Sequence, residues 1–526
     1  MSTTTAMTNP GHDRVATHTL LAALVLGVAG DILFRDVGPF GVGLSIWVGL
    51  LGLSAVALNR HARPKWRRTL IVWSCVAFTA TLNPVLRATE ELIPLTLLVL
   101  LLCAASLLMQ ARGVRLLAAT ITDHLRCVLR VPVEVVLGIL PILGKVSLFG
   151  AGMSLRVRGI LRGLMLVTPL MLIFIALFSA ADAVFERYVS RLGDVFLFDT
   201  PRHILMVLMI GWVAAGLLAC TFQRDSNEAM SARSFPAGNT PRLPRKVGDE
   251  ETAVIMGSLV ALFVVFVVLQ ASYLFGGREL IEQTSGLSLA AYARRGFFEL
   301  LAVSALTLAV LLSMSILQCN QRLFRPLAGV LVACVLLILI SAVQRLGLYI
   351  DAFGLTFSRV FALAFILWLA CNLLSFALTI LRGHSDGFAS GLVLSGIAII
   401  MLLGAANPAA VVAQVNLERT IAAGQRLDTH YLISLGADVV PQLMKRFDAL
   451  PEAEQCQIAI ALYHRWHPEK NEDAKQAMQD WRGWNASRSR ARRLVMARED
   501  QFQQIITEQR ARAGGVSVPR KEGPKF

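Results

Sequence analysis

Residues 97–109 read LLVLLLCAASLLM, thirteen positions with no charge and a single hydroxyl, at Ser106. Extended back to residue 92, the run reaches the length of about 20 residues that carries a helix across a hydrocarbon core of about 30 Å. A strand of a membrane barrel would alternate apolar and polar side chains over about ten positions, and this run does not alternate. Lipid offers the backbone no hydrogen-bond partner, so only a helix or a closed barrel can span it, and the helix is the one that remains.

Similar runs recur at approximately residues 17–34, 38–58, 69–86, 161–183, 204–222, 253–275, 296–317, 328–349, 360–381 and 388–405. With 92–109 they predict an all-α fold, a polytopic transmembrane bundle of about eleven spans, followed by a small helical extramembrane C-terminal tail. Asn83-Pro84 interrupts 69–86, because proline removes a backbone donor and ends or kinks a helix. Of the 526 residues, 55% are hydrophobic and 16% charged; a soluble domain carries about 25% charged residues. The polar segment 1–16 lacks a basic start, and the first apolar run leads straight into another, so it reads as a retained helix rather than a cleaved signal.

The net charge of +15 is explained by basic loops and anionic headgroups, and no nucleic-acid-binding motif accompanies it. The loop after the second span holds Arg60, Arg63, Lys65, Arg67 and Arg68 with no acid. Arg112, Arg115, Arg126 and Arg130, against Asp123, follow the fourth span, and Arg322 and Arg325 follow the eighth, unopposed. The alternate loops are mixed: Arg35 with Asp36, Arg87 with Glu90 and Glu91, Asp351 with Arg359. For a bacterial cytoplasmic (inner) membrane protein, the expected setting, the positive-inside rule puts the N-terminus in the cytoplasm, and an odd number of spans then puts the C-terminus on the extracytoplasmic side.

Two connections are long. Residues 131–150, VPVEVVLGILPILGKVSLFG, are apolar but broken by Pro132, Glu134, Pro141 and Lys145, and read as an interfacial or re-entrant segment. Residues 223–252 are charge-balanced, rich in Ser, Pro and Gly, and read as a flexible cytoplasmic linker within the membrane domain 17–405. Residues 406–512 change character, with an amphipathic stretch at 411–423, short helices over 427–467 and a long polar helix over 481–513. Residues 513–526 are expected to be disordered.

Certain stretches carry a resemblance. Residues 345–370, RLGLYIDAFGLTFSRVFALAFILWLA, and 291–307, AYARRGFFELLAVSALT, resemble an uncharacterised bacterial multi-pass membrane family, domain of unknown function 4173. ADAVFERY at 181–188 and NLERTIAAGQRLDTHYLISLGADVVPQL at 416–443 are also similar to it. The Tyr-x-x-x-x-Gly-Leu-Thr-x-x-Arg spacing, from Tyr349 to Arg359, is its most specific element. The resemblance implies a shared fold and topology over roughly residues 160–445 and supplies no activity.

Ionisable residues in or near spans are costly and usually face a bundle interior or water. Glu299, Arg345, Asp351, Arg359, Arg294 and Arg295 fall at one expected membrane face, with Asp31, Asp182 and Glu186. Glu299 paired with Arg345 or Arg294, with Tyr349 and Thr356 supplying hydroxyls, would form an outward polar vestibule. The competing reading is a set of ion pairs and snorkelling side chains that pin helix ends. His464 and His467 are three apart but lack further ligands, and no cysteine pair has metal-like or disulfide spacing, so neither metal nor cofactor is expected. Gly27 and Asp31 do not make a small-xxx-small pair, whereas the glycines of 41–49 permit tight packing.

No P-loop, GxSxG or HExxH occurs. The leading functional reading is a non-enzymatic envelope or signalling-support protein that meets a protein partner through its tail, with the lipid bilayer as its medium. A permease using the charged vestibule is the alternative, although no inverted repeat is evident. A membrane-embedded enzyme on lipid-linked substrates, with Glu299 and Asp351 as acid and base, is the third.

Overall fold

The computed structural model describes residues 10–35, 41–139, 142, 187–188, 199–222, 249–275, 297–316, 321–383, 387–424, 427–467 and 480–514. Every regular element among them is helical. Eight of these helices are long and apolar enough to cross a membrane, and two shorter apolar helices, Val42–Leu58 and His203–Ala219, accompany them. The expected span at 161–183 lies outside the described residues, so the helices described do not by themselves reach eleven. The chain divides into two compact units, Met1–Val85 with Ile93–Gly238, and Leu86–Leu92 with Asn239–Phe526.

The first unit contains α1 (Pro10–Phe34), α2 (Val42–Leu58), α3 (Pro64–Thr81), the short α4 (Asn83–Leu86), α5 (Leu92–Ala111), α6 (Ile121–Leu137) and α7 (Asp199–Ala219). The break expected at Asn83-Pro84 falls at Leu82, between α3 and α4. The most intimate pair is α1 with α7. At their crossing, a methyl group on Gly27 would lie 2.3 Å from the Val207 carbonyl oxygen, and one on Gly211 3.1 Å from that of Ala23. Gly27 is thus a packing glycine whose partner is on another helix, which spacing along α1 alone did not reveal. Trp47 on α2 donates its indole N–H to the Leu26 carbonyl at 3.0 Å, tying α2 to α1.

The segment expected to be interfacial or re-entrant belongs in part to α6, which starts earlier, at Ile121, and runs through Pro132 and Glu134 to Leu137. A reciprocal capping box starts it: Thr120 accepts from the Asp123 N–H at 3.2 Å, and Asp123 accepts from the Thr120 N–H at 3.0 Å. Glu134 is a good helix former and continues the helix, and its carboxylate pairs with Arg112, just after α5. Leu125, Leu129, Val133 and Leu137 form an exposed apolar stripe at four-residue spacing. The inner face packs on α7, where a methyl on Gly216 would meet the Val135 carbonyl oxygen at 2.3 Å.

The second unit contains α8 (Asp249–Phe275), α9 (Phe297–Ile316), α10 (Gln321–Phe353), α11 (Phe357–Thr379) and α12 (Phe388–Ala406). Of the expected linker 223–252, the last four residues open α8, whose first turn carries Asp249, Glu250 and Glu251. The 33-residue α10 is about 50 Å long, well over the hydrocarbon thickness, so it continues beyond the expected 328–349. It packs against α8, α9 and α11.

The C-terminal region consists of α13 (Pro408–Ala423), α14 (Thr429–Ser434), α15 (Val440–Arg446), α16 (Glu452–Trp466), α17 (Ala486–Met496) and α18 (Glu499–Gly514). Only Asn407 separates α12 from α13; it takes a left-handed φ of 53° and accepts from the Ala410 N–H at 3.2 Å. The single polar helix expected over 481–513 is instead a short turn and two helices. Asn485 caps the Arg488 N–H at 2.9 Å, so α17 starts at Ala486, and it ends before the turn at Ala497 and Arg498. Leu417, Leu443, Phe447, Ile458, Val495 and Phe502 form a core that also takes in Leu355 and Phe357 from the end of the membrane helices.

Candidate functional site

The Tyr-x-x-x-x-Gly-Leu-Thr-x-x-Arg stretch forms the turn between α10 and α11. Gly354 sits at φ +81°, a left-handed conformation that favours glycine. A methyl there would lie 2.6 Å from Asn416 Oδ1 and 2.8 Å from Arg419 Nη1. The Arg359 guanidinium lies 4.0 Å over the Tyr349 ring and donates to the Gly354 carbonyl, closing the turn from within.

The tail grips this turn from outside. Asn416 on α13 accepts from the Leu355 N–H at 2.8 Å and donates to the Leu355 carbonyl at 2.8 Å, satisfying both backbone groups. Arg419 donates to the Asp351 carbonyl. The Tyr431 hydroxyl on α14 accepts from the Phe357 N–H at 2.8 Å, an orphan donor of the first turn of α11. Burial pushes the Tyr431 hydroxyl above its ordinary value.

A second anchor holds residues 86–92. Asp438, 1% exposed in the short turn before α15, accepts from the Ala88 N–H at 2.7 Å and the Thr89 hydroxyl at 2.8 Å. Its other oxygen accepts from the Ser487 hydroxyl of α17. The carboxylate is therefore buried among hydrogen-bond donors, which offset the cost of its desolvation. Asn485 donates to the Arg87 carbonyl at 2.7 Å. Arg87 in turn donates to the Gly404 and Ala405 carbonyls, both at 2.8 Å, capping the end of α12.

Of the expected vestibule residues, Tyr349, Asp351, Thr356 and Arg359 gather at the gripped turn. Arg345 is half-buried further back on α10, and Glu299 is exposed in the first turn of α9. The ion pairs among the described residues do not include one between Glu299 and Arg345. Arg294, Arg295, Asp182 and Glu186 lie outside the described residues. In the first unit Asp31 is buried and faces His203 Nδ1 at 3.1 Å and Arg35 Nη2 at 3.5 Å. His467 pairs with Glu499 at 3.0 Å, and no group of metal ligands occurs among the described residues.

On the tail surface, Trp481 and Trp484 are 60% and 47% exposed, beside the exposed Arg488, Arg490 and Arg493. Composition predicts them at the start of a polar helix; the signal that sets them apart is Asn485, a capping residue that starts α17 just after the second tryptophan.

Apolar helices of spanning length joined by hydrogen-bonded turns define an integral membrane protein with an all-α fold. Residues 68–445 match the family described as a domain of unknown function, DUF4153, and the chain belongs to that family. The resemblance to domain of unknown function 4173 is corrected accordingly: the kind of family holds, the particular one differs. No curated protein and no solved structure matches the chain. The match ends at Lys445, so it contains Tyr349 to Arg359, Asn416, Tyr431 and Asp438, while Asn485 and Ser487 fall beyond it.

Proposed function

We propose that the protein is a scaffold of the bacterial cytoplasmic membrane that holds its C-terminal helices against the extracytoplasmic ends of its spans and offers them to a protein partner. The observation that carries this reading is the double anchor: Asp438 grips residues 86–92, while Asn416 and Tyr431 grip the α10–α11 turn. A tail held in this way is a positioned surface rather than a tether. Trp481, Trp484 and the neighbouring arginines supply residue types that dominate protein interfaces. The sidedness proposed is supported by Arg322 and Arg325 at the start of α10 and Arg382 just after α11, the ends remote from the tail.

Ala453, exposed in the first turn of α16, serves as a test position. Ala453→Cys in a Cys456→Ser background should react in intact cells with a thiol reagent that cannot cross the inner membrane. A photoreactive residue at Trp484 should give one discrete protein adduct, lost when Asp438→Ala undocks the tail. Labelling only after lysis would overturn the sidedness, and the absence of a protein adduct would overturn the partner reading.

The pairing of buried Asp31 with half-buried His203 favours a second reading, a permease that moves protons, since intramembrane ionisable pairs often form relays. Proton flux in proteoliposomes that disappears in Asp31→Asn would decide for it.

A further inference from the structure

The first unit encloses a cavity of about 260 Å³ whose lining includes Trp47 and Gly52 on α2, Trp73 on α3, Cys103 and Ala104 on α5 and Cys220 after α7. None of the described residues of its wall is charged. Along α2 the lining runs from Trp47 to Ala55, and along α5 from Leu100 to Leu107, so the cavity is a slot lengthwise to the helices. From Trp47 to Ala55 it extends about 12 Å. The slot ends at Thr221, whose hydroxyl accepts from Asn59 Nδ2 at 3.2 Å. Immediately beyond Asn59 come Arg60, Arg63, Lys65, Arg67 and Arg68, all exposed and without an acid among them. Arg112, which follows the end of α5 at the same side, is paired with Glu134 and so is not counted with them.

We propose that this slot binds one acyl chain of an anionic glycerophospholipid whose phosphate is held by the arginines of residues 60–68, in the turn after α2 and the first turns of α3. Three features select that ligand. An apolar wall among spanning helices suits hydrocarbon and excludes a polar solute. A lengthwise slot matches a chain lying along the bilayer normal. A mouth carrying unopposed arginines favours an anionic phosphate over a zwitterionic headgroup, with each guanidinium contributing roughly fivefold in affinity near the surface. The role is separate from the tail anchor, which uses none of these residues.

The test uses the full-length protein in nanodiscs of equimolar phosphatidylglycerol and phosphatidylcholine. Native mass spectrometry should find one retained phosphatidylglycerol, preferred over phosphatidylcholine by at least about fivefold. Ala104→Phe, which fills the slot, should lose the retained lipid. Arg63→Gln with Arg67→Gln should lower the preference for phosphatidylglycerol by at least about fivefold without loss of protein. As a check independent of slot-filling, phosphatidylglycerol brominated at mid-chain should quench a fluorescence component that Trp73→Phe removes, more than brominated phosphatidylcholine does. No retained lipid in the wild type, equal retention of both lipids, or equal quenching would each overturn the proposal.

Discussion

Gly354 and Asp438 carry the largest single-residue consequences, for different reasons. At φ +81° a side chain strains the backbone, and the methyl would also press on Asn416 and Arg419. Gly354→Ala should cost about 1–3 kcal/mol, seen as a lower unfolding midpoint of the purified protein. Asp438→Ala leaves the Ala88 N–H, the Thr89 hydroxyl and the Ser487 hydroxyl without their shared acceptor and should cost on the order of 3 kcal/mol. Thr89→Val removes one of those bonds, and its loss should be close to 1 kcal/mol; equal losses in the two variants would contradict Asp438 as the hub. Tyr431 makes the docked state sensitive to high pH. Its hydroxyl pKa is raised in the folded chain by burial, so the folded state holds its proton more tightly than the unfolded state. The stability it contributes is complete below the ordinary tyrosine value near 10.0 and falls as pH rises through and above it. Limited proteolysis of the tail should accelerate in that range, and Tyr431→Phe should flatten the response while removing one hydrogen bond.

At the level of elements, helix contacts depend on where glycines meet backbone. Gly27 and Gly216 sit where a methyl would meet a carbonyl oxygen at 2.3 Å, on α7 and α6 respectively, so these pairs must separate to admit a side chain. Gly27→Leu and Gly216→Leu should lower the amount of folded protein recovered from membranes several-fold, by the packing loss that lipid does not replace. Gly257 on α8 has open space around its Cβ position, and Gly257→Ala should leave recovery unchanged. The expectation of an interfacial or re-entrant segment from residue 131 misses the first ten residues of α6, because the signal for its start is a Thr120–Asp123 capping box rather than an apolar run. The polar helix expected over 481–513 failed for a similar reason: caps and turns, not composition, set helix ends.

For the whole molecule, the membrane-spanning class followed from run length alone, since hydrocarbon admits so few backbone arrangements. The tail was legible as short helices but not as a docked body. Its attachment depends on Asn416, Tyr431 and Asp438 reaching Leu355, Phe357 and Ala88, contacts separated by 61, 74 and 350 positions along the chain. Docking predicts that the tail resists protease in membranes and becomes cleavable in Asp438→Ala, with electrophoresis as the readout. Among the expected vestibule residues, spacing placed Tyr349, Thr356 and Arg359 at one turn. It could not tell that the turn is covered by the tail, because a polar residue at a helix end looks the same whether it faces water or another helix. From the sequence alone came the apolar helices long enough to cross lipid, the loops that carry positive charge and the polar motif at a helix end, because each rests on neighbours along the chain. Folding in three dimensions added the Gly27–Gly211 crossing, the slot between Trp47 and Cys220 and the burial of Asp438, because each is made by residues whose proximity no local pattern records.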